Sequence, residues 1–168
     1  MGIPGIASNF AGKTIALTRI VTGVFFLFFG EYKVAGPAWA YGGFEKWIRG
    51  YVDGGMPFGV YRPVLVNFAL VHPVLCARMV GWGELAIGLS LVLGLLVRPA
   101  SIAGAILMIN MALATWFAPG HDAPAWQYIG ANLDHLPLLL LFAIFFATRA
   151  GEVWGIDGRM ERTRHSKT

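Results

Sequence analysis

The chain has 168 residues, the size of one domain, and is 57% hydrophobic but only 13% charged, where soluble domains average about 25% charged. The formal net charge is +4, and basic residues cluster after residue 148, where they read as a membrane topology signal rather than a nucleic-acid surface. A single cysteine, Cys76, excludes an internal disulfide, a CxxC redox pair and a multi-cysteine metal site, and the chain carries no haem, flavin or metal motif.

Residues 1–13 are lightly charged, and the run TIALTRIVTGVFFLFFG then opens a first spanning helix over about 14–33. Ala38-Trp39-Ala40 mimics a signal-peptide cleavage site, but the apolar run ends too far upstream and Glu31 and Lys33 intervene, so the segment reads as a retained span. The connection over 34–74 is too long to lack structure of its own. Within it Phe44, Trp47, Ile48, Tyr51 and Val52 repeat at helical spacing, with Glu45, Lys46 and Arg49 opposite, which predicts an amphipathic surface helix near 43–52. The segment between Pro63 and Pro73 suits a short buried or re-entrant helix.

The second span is predicted over about 75–97, with the small residues Ala86, Ser90 and Gly94 forming a stripe where a neighbouring helix can approach. Arg98-Pro99 reads as a tight turn into a third span over about 100–118, centred on Asn110. The fourth covers about 128–148 and opens with Asn132, Asp134 and His135; the charged tail over 149–168 is expected to be mobile beyond Arg159. The whole reads as one all-α domain: an integral-membrane four-helix bundle with short amphipathic helices in the first extracytoplasmic loop. The lysine and arginine distribution places both termini in the cytoplasm, and most tryptophans and tyrosines then form a belt at the outer interface.

The polar residues within the spans carry the functional argument. Glu84 lies near mid-span, where a charge costs at least roughly 2.5–3.5 kcal/mol and needs a partner, a proton or a water-lined cavity. It is expected inside the bundle, within reach of Arg19, Asn110 or His135. Arg19 has two readings, snorkelling to the interface or reaching up to Glu84. Asn110 is either a ligand or a hydrogen-bonding link between helices. Asp134 and His135 either cap the fourth helix or form a proton-accepting pair. Lys33 and Arg78 belong near the outer rim, where they would attract an anion, and Trp82 is a candidate wall residue for an apolar ring. His72 and Cys76 lack a third ligand, so no metal site is expected.

Three motifs resemble the DoxX/DoxD membrane proteins. These are GxxFxxxGxxK (Gly23, Phe26, Gly30, Lys33), GExxxGxxLxxGxxxR (Gly83, Glu84, Gly88, Leu91, Gly94, Arg98) and the closing WGID of Trp154 to Asp157. The long first connection is more similar to the DoxD type, the small subunit of thiosulfate:quinone oxidoreductase. The resemblance implies a four-span protein of a prokaryotic cytoplasmic membrane, acting on sulfur compounds with a quinone acceptor. Glu84, Asp134 and His135 would then exchange protons, and Arg19, Asn110 and Trp82 would hold the quinone. Lys33 and Arg78 would hold an anion such as thiosulfate. The competing reading is a non-catalytic accessory subunit. Either way the expected surroundings are the lipid bilayer and other membrane subunits or a second copy, with no nucleic acid.

Overall fold

Glycines set how closely the two longest helices approach. In the computed structural model, which describes residues 4–117 and 134–165, helix α1 (Pro4–Val34) packs antiparallel against α3 (Pro73–Leu93) along Gly23, Gly30, Gly81 and Gly88. A Cβ at Gly88 would stand 2.8 Å from the Leu27 nitrogen and 2.9 Å from the Gly23 oxygen, so the backbones themselves are in contact. The expected stripe was displaced by part of a turn. Ala86 is exposed, and the face that meets α1 runs through Gly81, Glu84, Gly88 and Leu91.

Among the described residues the chain is helical, without strands. Three helices among the described residues are long and apolar enough to cross a bilayer: the Phe10–Val34 part of α1, α3, and α4 (Val97–Ala114). The fourth apolar helix, α5 (Leu136–Ala147), has 12 described residues, roughly 18 Å of rise against a hydrocarbon core of about 30 Å. The first part of the expected fourth span, residues 128–133, lies outside the described residues. α5 packs on α4, where Gly104 leaves room for the Phe142 ring, and Phe142 meets Phe26 edge-on at 5.3 Å.

The turn between α3 and α4 falls earlier than expected. It is made by Gly94 and Leu96, both left-handed (φ 64° and 54°), while Arg98 and Pro99 lie in the first turn of α4. Proline is tolerated there because the amide it lacks has no partner within the helix. The tail also differs from expectation. It forms a helix, α6 (Ile156–His165), and Val153 just before it faces Gly12, so both terminal segments lie at one end of the bundle, the tail end.

At the opposite, loop end, α2 (Phe44–Asp53) packs against α3. Its buried stripe is Phe44, Ile48 and Val52; Tyr51 is half-buried, but Trp47 is 57% exposed, so the apolar face is narrower than its spacing predicts. A short helix, Arg62–Val64 continued as a wide turn over Leu65–Ala69, buries Leu65 and Ala69. With Cys76, Ala77 and Ala114 these residues form a cap cluster, distinct from a bundle core of Phe26, Ile87, Leu91, Val97, Met108, Phe142 and Phe145.

Candidate functional site

Arg19, Phe26, Gly30 and Lys33 recur at intervals of seven, four and three, so they share one face of α1, the face turned to α3. Gly30 sits against Leu85, and Gly81 sits against Lys33 and Val34. That register sets Lys33 level with Glu84, although one ends its helix and the other lies 11 residues inside. The Lys33 ammonium donates to both carboxylate oxygens of Glu84, at 2.5 and 2.6 Å. The two side chains are only 12% and 8% exposed.

Two aromatic rings flank the Lys33 end of the pair. Lys33 Nζ lies 5.2 Å from the Trp39 ring and 6.0 Å from the Phe29 ring, positions in which the negative ring faces attract a cation. Trp39 is itself fixed by its indole N–H, which donates to the Ala77 carbonyl at 3.1 Å. The cap cluster lies beyond it, with Ala77 and Cys76 about two turns before Glu84, towards the start of α3. A second polar link, Tyr61 Oη donating to Asn110 Oδ1 at 2.5 Å, ties the loop end to α4, and Asn110 also donates to the Ile106 carbonyl.

Glu84 therefore pairs with Lys33, not with Arg19, Asn110 or His135. Lys33 and Arg19 are 14 residues apart on α1, roughly 21 Å along the helix, which puts Arg19 at the tail end. There it is fully buried (0% exposed), neither snorkelling nor near Glu84, and Nη2 donates to the Trp154 carbonyl at 3.2 Å. Its guanidinium fills the space that side chains at Gly94 and Gly155 would need. Asp157 completes this joint: its carboxylate accepts from the Leu96 and Val97 amides at 2.8 and 3.0 Å, and its own amide donates to the Gly94 carbonyl.

The remaining candidates do not converge. Trp82 is 60% exposed, two residues from Glu84 and so on the opposite side of α3. Arg78 is exposed and donates to the Tyr41 hydroxyl at 2.8 Å, so it and Lys33 serve different partners. His135 precedes α5 without capping it, and its Nδ1 is buried with no hydrogen-bond partner among the described residues. Asp134 is exposed; burial, with Asp134 adding to it, pushes the Tyr51 phenol above its usual range. Sequence reasoning missed Trp39, Tyr61 and the role of Asp157. Only the placement of Lys33 in one stripe with Gly23 and Gly30 signalled the true partner of Glu84.

A protein-family model described as DoxX matches residues 14–120, well over half the chain and inclusive of the Lys33 and Glu84 motifs. The chain belongs to the DoxX family. No curated protein and no solved structure matches it. In this DoxX chain the two matched motifs are the two sides of one helix interface: Gly23 meets Gly88, Gly30 meets Leu85 and Lys33 meets Glu84. The WGID segment lies beyond the matched residues, yet it closes the far end of that interface through Arg19 and Gly94.

Proposed function

We propose that this DoxX chain is a membrane subunit of a quinone-linked redox system, of the DoxD type that oxidises thiosulfate or a related sulfur compound. The observation that carries this reading is the buried Lys33–Glu84 pair, with two aromatic rings beside Lys33. A charged pair held away from water at that depth is expensive and marks a functional site by default. On this reading Lys33 would donate to a quinone carbonyl oxygen, Glu84 would carry protons, and the Trp39 and Phe29 rings would supply apolar faces. Reduction of a quinone to its quinol takes two electrons and two protons. Two thiosulfate anions, each losing one electron and joining through a new S–S bond, would supply the electrons, and Glu84 would relay the protons. Sulfur oxidation itself then belongs to a partner subunit.

The bidentate geometry also favours a second reading, a non-catalytic accessory subunit, because Lys33 and Glu84 already satisfy each other. Thermal unfolding of the detergent-purified chain with and without a short-chain quinone separates the two. On the quinone reading the wild type gains several degrees of Tm with quinone, and Lys33→Met/Glu84→Met folds but gains nothing. No gain in the wild type, or an equal gain in the double variant, favours the accessory role.

A further inference from the structure

At the tail end a groove of about 670 Å³ opens between the end of α3 and the start of α6. Val92 and Leu93 form one wall, Trp154 stands at the lip with 59% of its surface exposed, and Arg159 and Arg162 line the other side. The apolar wall is the last turn of a spanning helix, so the groove sits where hydrocarbon gives way to headgroups. An exposed tryptophan at that level is the usual interfacial anchor.

The charges are not balanced internally. Glu152, which also lines the groove, is held by Arg149 at 3.3 Å, and Glu161 lies 3.7 Å from the same arginine. Arg149 thus sets one positive charge against the two glutamates, and neither Arg159 nor Arg162 has a side-chain partner among the described residues, so these five side chains together carry one net positive charge. Two free guanidiniums above an apolar wall match a phosphodiester carrying acyl chains, since the arginine fork suits phosphate oxygens and the wall suits the chains.

We propose that this groove binds an anionic phospholipid, its phosphate between Arg159 and Arg162 and its acyl chain along Val92 and Leu93. Titration of the detergent-purified full chain with phosphatidylglycerol or phosphatidylcholine, read by native mass spectrometry, tests this. Phosphatidylglycerol is expected to be retained in preference to phosphatidylcholine. Arg159→Gln/Arg162→Gln should weaken that retention by about tenfold. Arg164→Gln, on the same helix but outside the groove, should leave it unchanged. Both groove arginines are exposed, so helicity and Tm of the double variant should match the wild type; if it fails to fold, the single variants should each show a smaller loss. Equal retention of the two lipids would overturn the proposal. So would an equal loss in Arg164→Gln, which would mean diffuse charge, or full displacement of phosphatidylglycerol by millimolar inorganic phosphate, which would mean a free-anion site.

Discussion

Asp157 holds the amides of Leu96 and Val97, two of the donors that the start of α4 cannot satisfy within itself. It also fixes Leu96 in a left-handed conformation that costs a non-glycine residue about 1–2 kcal/mol. Asp157→Ala removes a cap delivered from 60 residues away and should cost about 0.5–2 kcal/mol. Because the same residue anchors α6, trypsin should cleave the variant at Arg159 and Arg162 faster than the wild type. An unchanged cleavage rate would mean that the tail is held by other contacts. Arg19 shows why residue type alone leaves a role open. Its burial follows from facing α3 at the level of Gly94, and a sequence does not display which glycine leaves a space for which side chain. That Glu84 needed a partner was legible from its depth; which cation supplied it depended on the packing register.

Helices α1 and α3 are built to touch through backbone. A side chain at Gly88 meets the Leu27 nitrogen and the Gly23 oxygen, atoms that cannot rotate aside, whereas a Cβ at Gly83 meets open space. Gly88→Val should therefore force the helices apart and lower the Tm, at a cost of roughly 1–3 kcal/mol or more. Gly83→Ala, five residues away, should leave the Tm unchanged or raise it slightly. Equal effects from the two would refute close approach at Gly88. The existence and order of the long apolar helices were legible because hydropathy and length suffice for that. Their ends were less so. The turn after α3 followed Gly94 and a strained Leu96 held by a distant carboxylate, not the more conspicuous Arg98-Pro99. The α2 helix was legible from its spacing, yet Trp47 stays largely exposed and meets Tyr51 edge-on, so the buried stripe is narrower than the spacing alone implies.

Across the molecule, two apolar clusters lie one beyond the other, the bundle core towards the tail end and the cap at the loop end. The Lys33–Glu84 pair stands where they meet. Counting along the antiparallel α3 and α4 from their shared turn puts Asn110, with Tyr61, roughly one helical turn nearer the loop end. Polar links at that boundary fix the register of α1 on α3 and fasten the loop end to α4. They also supply the donor and acceptor on which the proposed chemistry rests. This layering was not legible in the sequence, since Lys33 and Glu84 are 51 positions apart and each was assigned a depth from its own helix. A double-mutant cycle on unfolding stability addresses the layer directly, using Lys33→Met, Glu84→Gln and the two combined. Each single change leaves a buried polar partner unmatched and should cost roughly 3–5 kcal/mol for the unpaired charge. The double variant should cost clearly less than the sum, with a coupling of about 2 kcal/mol or more. Additivity within about 0.5 kcal/mol would show that the two residues do not hold each other and would contradict the polar layer.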